Sequence, residues 1–329
     1  MPEKQAVRWA ILGAGKIAHK FAQDFKAVTH GELVAVAARD KPRAQDFATQ
    51  YGIPHAYTYD ELYASSNVDA VYIATTHNFH YEQCLHCINA GKAVLCEKPI
   101  TINDGEFKKL RAAAREKNVF IMEAMWTYFL PSFLKAAEWL QAGRIGTLKA
   151  IQADFGFAMP YNPEGRLYNP ALAGGALLDL GVYAVAFATF FGNAPDAVVA
   201  SGVLSKTGVD ETTGMLLQFG NVSASLFTSM TTRLRNKALR FGEMGYIEIP
   251  DFWKAPSATL YNGEYEVVET FIDDRTTWGY HFEIQHATDL ILAGALESNV
   301  VPHASSNTVQ EVMTNVRRQI GFTYPQERI

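Results

Sequence analysis

The sequence predicts an α/β protein: a doubly wound parallel sheet in its N-terminal part, followed by a second α/β domain with a large open, mainly antiparallel sheet. Three observations carry this prediction. From Val7 to about Met122, short β-like runs alternate with helical stretches. After Glu123 the pattern changes to longer strands with tight connections such as Gly220-Asn221. Finally, 329 residues are too many for one ordinary hydrophobic core. The boundary is therefore placed between residues 1–123 and 124–329.

The N-terminal runs are Val7–Leu12, Leu33–Ala38, Val68–Ala74, Ala93–Cys96 and Val119–Met122, with helix-like segments such as Pro42–Tyr51 and Asn103–Lys117 between them. Strands that are apolar throughout and alternate with helices indicate a parallel sheet covered on both faces. Asp40 reads as the N-cap of the Pro42 helix, and Gly52 closes it. Beyond Glu123, a helix near Phe129–Ala142 ends at Gly143, and a strand, Leu148–Phe157, leads into the aperiodic stretch Ala158–Ala173. A loop of that length is usually functional. Gly174-Gly175 opens an apolar helix, Leu177–Phe191. Strands follow at Val198–Ser205, Met215–Phe219, Val222–Met230, Ala238–Phe241, Tyr246–Ile249 and Tyr265–Phe271, then helices at about Tyr280–Glu297 and Ser306–Gln319.

Composition narrows the function. Hydrophobic residues make up 48% and charged residues 19%, as in a globular protein rather than a disordered one. A net charge of −5 gives no global attraction to nucleic acid or to an anionic membrane. No apolar run approaches the ~20 residues that cross a bilayer. Met1–Arg8 lacks the apolar core of a signal peptide, so a cytoplasmic address is expected. Cys84 and Cys87 have C-x-x-C spacing but fall in mid-helix, away from the helix N-terminus where a thiolate is stabilised. With Cys96, they are expected to be buried thiols of a reducing compartment.

Chemistry first appears after the Val7–Leu12 strand, in Gly13-Ala14-Gly15-Lys16-Ile17-Ala18, a G-x-G-x-x-A run that opens a helix. Gly13 permits the tight turn, Gly15 lets the backbone approach a pyrophosphate, and Ala18 allows close helix–strand packing. The helix N-terminus offers free N–H groups and a positive dipole end to phosphate. This is the dinucleotide-binding (Rossmann) arrangement. The second strand ends in Arg39-Asp40, with Arg43 one turn later. An acid there suits the ribose hydroxyls of NAD and an arginine the 2′-phosphate of NADP. Arg39 and Arg43 favour NADP, with NAD the alternative, and Asp40 has its capping role. Both arginines also read as ordinary solvated charges.

At the carboxyl ends of two later strands, where doubly wound sheets bind ligands, lie Thr75-Thr76-His77-Asn78-Phe79-His80 and Cys96-Glu97-Lys98-Pro99. Glu97-Lys98-Pro99 downstream of the glycine loop, with Gly174-Gly175-Ala-Leu-Leu-Asp179-Leu-Gly181-Val-Tyr183, resembles the glucose–fructose oxidoreductase and inositol dehydrogenase (Gfo/Idh/MocA) family. Val34–Asp40, Ala93–Pro99, Met122-Glu-Ala-Met-Trp126 and Val316–Gln326 extend the likeness nearly end to end. They resemble the dimeric dihydrodiol dehydrogenase branch, which includes NADP-dependent D-xylose dehydrogenases.

The resemblance implies catalytic roles for Lys98, Asp179 and Tyr183. Oxidising an alcohol moves a hydride to the nicotinamide while a base removes the hydroxyl proton. A free tyrosine, with a pKa of ~10, is a poor base at neutral pH; a lysine ammonium nearby would favour the phenolate. Asp179, one helical turn before Tyr183, would share its face. Many family members carry histidine at the Tyr183 position, so the identity of the base turns on that residue. Thr75, Thr76, His77, Glu97 and Lys98 are assigned to the cofactor's nicotinamide side. His80, Trp126, Phe155 and Trp253 are assigned to substrate, the aromatics as stacking surfaces. His77 and His80 have H-x-x-H spacing but no third ligand, so no metal is expected. The family commonly pairs subunits through its open sheet, which implies a homodimer. Sugar, polyol and dihydrodiol hydroxyls are the implied substrates. The alternatives are a glycosidase that uses tightly held NAD transiently, and a non-catalytic dinucleotide sensor.

Overall fold

A computed structural model describes residues 6–190 and 194–327. The expected features at Met1–Gln5 and at Phe191 lie outside the described residues. In chain order the strands are β1 Val7–Leu12, β2 Gly31–Ala37, β3 His55–Tyr57, β4 Ala70–Ile73, β5 Ala93–Glu97, β6 Ile121–Ala124, β7 Leu148–Gly156, β8 Ala197–Leu204, β9 Asp210–Phe219, β10 Val222–Ser229, β11 Lys237–Gly242, β12 Gly245–Pro250, β13 Ser257–Asn262 and β14 Val267–Ile272. The helices are α1 Lys16–Asp24, α2 Lys41–Tyr51, α3 Tyr59–Ala64, α4 His77–Asn89, α5 Asp104–Lys117, α6 Pro131–Gln141, α7 Val182–Thr189, α8 Tyr280–Leu292 and α9 His303–Gln319. The fold class is the one read from the sequence: a parallel sheet and a large, mostly antiparallel one, with helices.

Two compact units emerge, neither of them continuous in sequence. The first comprises the chain up to Thr101, Gly105–Trp126 and Arg275–His303. Its six strands run in the order β3-β2-β1-β4-β5-β6, all pairs parallel. This is the doubly wound order in which ligands gather at the carboxyl edge. The interior strands β4 and β5 are buried at every position, as helices on both faces require. One layer packs Leu12, Ile73, Cys84, Cys87, Val94, Leu110 and Ile121 together. The other is closed by α1 and α8. Trp9 Nε1 donates to Thr288 Oγ1 (3.1 Å), and Phe21 stacks on Tyr72 with centroids 3.8 Å apart. Gly279, at the N-cap of α8, has no side chain to cap with. The buried Asp24 carboxylate of α1 accepts the Trp278 and Tyr280 N–H groups instead (3.1 and 2.8 Å).

The second unit holds Ile102–Asp104, Thr127–Asp274 and the chain from Ala304 onward. Its eight strands run β14-β13-β12-β11-β7-β10-β9-β8, antiparallel except for the β7–β10 pair. Alternate residues of β10, such as Ala224 and Leu226, are buried against the helical layer, while Ser223, Ser225 and Phe227 are exposed. That alternation marks a sheet with one covered face. The apolar helix expected at Leu177–Phe191 is two structures: a π-helical turn, Leu177–Gly181, and then α7. Pro170–Thr189 also amends the sequence reading, because by length and composition it could span a bilayer. Most of its apolar window is buried, as in a core helix. All three cysteines are free and buried.

Candidate active site

The nucleotide end begins at Gly13. Its φ of +105° is open to glycine, and a Cβ there would meet Thr75 Cγ2 at 2.9 Å and the Ala74 carbonyl at 3.0 Å. The turn is pinned by Gly13 N–H to the Ala37 carbonyl (2.8 Å) and Gly15 N–H to the Gly13 carbonyl (2.9 Å). Gly15 differs: a Cβ there would come no closer than 3.7 Å to Ala74 O. Packing within the chain does not demand glycine at 15; a ligand lying against the backbone would. Gly15 is the N-cap of α1 and supplies no side-chain cap, and the first turn carries no acid. The amides of Lys16, Ile17 and Ala18 thus keep the character of an anion site. These features fit a dinucleotide pyrophosphate.

Arg39, Asp40 and Arg43 are all exposed. Asp40 occupies the N-cap of α2, but its side chain makes no capping bond, which corrects the capping role read from the sequence. Arg43 donates from Nε and Nη2 to the Ala14 carbonyl (3.1 and 2.7 Å). It braces the glycine loop from outside.

The first unit brings Thr75, His77, His80, Glu97 and Lys98 to the carboxyl edge of β4 and β5. Lys98 is half-buried directly after β5. Thr75 Oγ1 donates to Gln83 Oε1 (2.6 Å) and Thr76 Oγ1 to Asn78 Oδ1 (2.7 Å). His77 lies edge-on to His80, with centroids 5.7 Å apart. Among the described residues, no three His, Cys, Asp or Glu groups are arranged to hold a metal.

Two assignments need correction here. His80 is fully buried, with Nδ1 2.8 Å from the Pro99 carbonyl and Nε2 3.3 Å from the Thr75 carbonyl. A ring enclosed by main-chain acceptors ties the Lys98-Pro99 turn to the end of β4 rather than lining a substrate wall. Glu97 is also buried, and its carboxylate accepts the Tyr72 hydroxyl in the core. That bond to the core, with its burial, makes Glu97 a structural group rather than the cofactor contact expected of it. Glu283 of α8 is buried close by, and its carboxyl is held well above the usual range by desolvation and then by Glu97.

Trp126, in the same unit, is buried and stacks on Tyr280 at 4.7 Å and 5°. The other aromatics meet in the second unit. Phe155 stacks on Trp253 (4.3 Å, 28°) and meets Tyr183 edge-on (5.6 Å, 79°). Phe155 is only 2% exposed, so it forms the floor of an aromatic cluster. Trp253 is half-buried and forms its accessible part. Burial likewise makes Trp126 a support rather than a contact surface.

Asp179 belongs to the π-helical turn, a local geometry that recurs at functional sites. Both of its oxygens accept from Arg166, Nη1 to Oδ1 at 3.0 Å and Nη2 to Oδ2 at 3.1 Å. Bidentate pairing of this kind fixes a carboxylate in position and orientation. Arg166 was not legible beforehand, because an arginine in an aperiodic loop carries no pattern. The start of the turn is anchored too. Asp210 Oδ2 accepts Leu177 N–H (2.8 Å) and the Thr213 hydroxyl (3.0 Å), and the Tyr324 hydroxyl donates to the Gly174 carbonyl (2.6 Å).

Burial pushes the Asp210 carboxyl up to about 6, against the pull of Leu177 N–H, Thr213 and Arg317. Unfolded, it would titrate at about 4. Its folded pKa is the higher one, so ionising it opposes folding. The Asp210 contribution to stability is therefore lost as pH rises from about 4 to about 6. Asp210→Asn lacks this loss, so urea midpoints should show its stability relative to wild type growing from about pH 4 to about pH 7.

Comparison with known proteins agrees along the whole chain. Residues 7–125 match the oxidoreductase family with an NAD-binding Rossmann fold (GFO_IDH_MocA), and residues 133–248 match the GFO/IDH/MocA C-terminal domain. The chain is 39% identical to trans-1,2-dihydrobenzene-1,2-diol dehydrogenase of Mus musculus, over 98% of this chain and 99% of that protein. With the enzyme of the same name from Danio rerio it shares 37% over 98% and 99%. A crystal structure of KijD10, a 3-ketoreductase from Actinomadura kijaniata in complex with NADP and TDP-benzene, superposes with a TM-score of 0.87 at 25% identity, covering 96% of this chain and 98% of that one. The glycine loop on its parallel sheet, the Glu97-Lys98-Pro99 turn and the Asp179–Tyr183 helix therefore belong to a member of the GFO/IDH/MocA family of NAD(P)-dependent oxidoreductases.

Proposed function

We propose that this chain catalyses reversible NADP-linked oxidation of a hydroxyl in a sugar, polyol or trans-dihydrodiol, and that Lys98, Asp179 and Tyr183 carry out the step. The observation that carries the reading is a glycine loop with room for a pyrophosphate, on the same sheet edge that presents a half-buried lysine. The relatives' names support it: the curated ones are diol dehydrogenases, and the 3-ketoreductase structure holds NADP. Bound NADP would supply the hydride acceptor. Lys98 donates a hydrogen bond to the substrate oxygen and stabilises its negative charge as the proton leaves. Tyr183 accepts that proton. Asp179, oriented by Arg166, accepts from a second substrate hydroxyl. The products are the carbonyl compound, NADPH and one proton. Trp253, over Phe155, offers an aromatic face to the ring of the substrate.

A panel of sugars, polyols and trans-dihydrodiols, each incubated with NADP and followed by nicotinamide absorbance, tests the reading. Turnover of a hydroxylated substrate is expected. Cofactor that stays bound through purification with no net absorbance change would favour glycosidic cleavage instead.

Arg39 carries the preference for NADP in this reading. Arg39→Ala is expected to weaken NADP binding far more than NAD binding, as measured by titrating both cofactors into wild type and variant. Equal losses, or a wild-type preference for NAD, would remove Arg39 from that role.

The division of labour follows the two units, the first binding cofactor, the second binding substrate and pairing subunits. We assign a homodimer through the eight-stranded sheet. Its outer face exposes Val199, Leu216 and Phe227 at 62%, 57% and 40%, and an apolar sheet face of that kind asks for cover. Sedimentation of the intact chain checks the pairing. Buried reduced cysteines agree with a cytoplasmic address.

A further inference from the structure

We propose that Asp210, the first residue of β9, is a positioning residue for catalysis: it holds the helix that carries Asp179 and Tyr183 by its leading amide. The proposal rests on the assignment of catalysis to that helix.

Leu177 opens the π-helical turn, so its N–H is among those a helix leaves without an internal partner. A cap is normally supplied by a residue just ahead of the helix, but Ala176 has no group to offer. The carboxylate comes instead from a strand 33 residues away and reaches Leu177 N at 2.8 Å. The same oxygen takes the Thr213 hydroxyl at 3.0 Å, which ties it to β9 itself. A negative charge at a helix N-terminus is favoured by the helix dipole and makes a stronger hydrogen bond than a neutral oxygen.

The rest of the segment is shaped around this carboxylate. Gly175 has a φ of +123°, and a Cβ there would collide with Asp210 Oδ1. Asp210 is fully buried, and among the described residues Oδ1 has no hydrogen-bond partner. A buried charge with one idle oxygen is costly unless it is paired. Arg317 of α9 supplies the balancing positive field, and it is itself held by Glu327 and by the Ile102 carbonyl (2.7 Å). The Tyr324 hydroxyl fixes Gly174 from the C-terminal side. The helix start is therefore bonded to the sheet on one side and to the C-terminal segment on the other. Its two proposed catalytic side chains stand two and six residues beyond the anchored amide.

The experiment compares Asp210→Ala, Asp210→Asn and Tyr183→Phe. For Asp210→Ala, kcat is expected to fall by about 10²-fold, the scale of a 1 Å misplacement, while KM and NADP affinity hold. Amide exchange over residues 174–183 should rise selectively. Asp210→Asn keeps an acceptor for Leu177 N–H and should recover most of kcat. Unchanged kcat in Asp210→Ala, or exchange rising uniformly without rescue by asparagine, overturns the proposal. If Asp210→Ala does not fold, Gly175→Ala takes its place. Its methyl both displaces the carboxylate and strains a backbone held at φ +123°, so kcat is expected to fall, and an unchanged kcat overturns the proposal. Tyr183→Phe separates the two questions. Should it keep its rate, the catalytic assignment fails, whereas selective exchange in the Asp210 variants still reports on the anchor.

Discussion

Lys98→Met is expected to lower turnover by about 10³-fold while leaving the fold and NADP affinity intact. Methionine fills nearly the same length as lysine, so no cavity forms and only the ammonium is lost. The turn around residue 98 has bonds that do not involve the ammonium. His80 holds the Pro99 carbonyl at 2.8 Å, and Ile100 N–H donates to Glu123 at 3.0 Å. The glycine loop is pinned separately, by the Ala37 carbonyl and by Arg43, so NADP titration should give an unchanged affinity. What disappears is a fixed positive donor at the oxygen where charge develops. Removing one such preorganised donor costs roughly 10²–10³-fold in kcat, and a full charge lies at the upper end. Single-turnover measurement of hydride transfer, with saturating NADP and substrate, reads the chemical step directly. Near-normal turnover would exclude Lys98 from it.

Tyr183→Phe should cost about 10²–10⁴-fold, the range for a group that moves a proton. The ring stays, so its edge-on contact with Phe155 survives, as does the stack of Phe155 on Trp253. The pH profile gives the sharper test. If the phenolic oxygen is the acceptor, wild-type kcat climbs as pH rises and the phenolate becomes populated. The phenylalanine variant keeps only a flat residual rate. Retention of both rate and pH dependence would make Tyr183 part of the substrate wall and move the proton to another group.

The parts of the molecule legible in the sequence are those whose causes are local. The limits of β1 come directly from its apolar run, and Gly13 can be understood from a turn three residues wide. The strand β3 is only three residues long, too short to show a period, and β13 mixes Thr259 and Tyr261 on one face with Ala258 and Leu260 on the other beside the polar turn at Asn262. The site was legible where chain position decides it, as for Lys98 at the end of β5. It was illegible where the decision belongs to distant partners. Nothing near Asp179 announces Arg166, and nothing near Leu177 announces Asp210. Residue type misled in a consistent direction: His80, Trp126 and Phe155 are suited to touching substrate, yet burial places them under the surface. An aromatic or imidazole ring looks the same in sequence whether it is wall or foundation.

The discontinuity of the two units bears on how the chain is made. The first unit needs α8, whose N-terminus is capped by Asp24 and whose Thr288 receives the Trp9 indole. During synthesis, Asp24 and Trp9 leave the ribosome some 250 residues before those partners. Domains made in one piece complete themselves N-terminal first; here that order is closed off. The second unit also waits, because Arg317 and Tyr324 follow their partners Ile102 and Gly174 by 215 and 150 residues. The first unit can reach its native state only after Thr288 has been made, and the second only after Tyr324. Until then the half-built parallel sheet leaves the β1 face that bears Trp9 without its α8 cover.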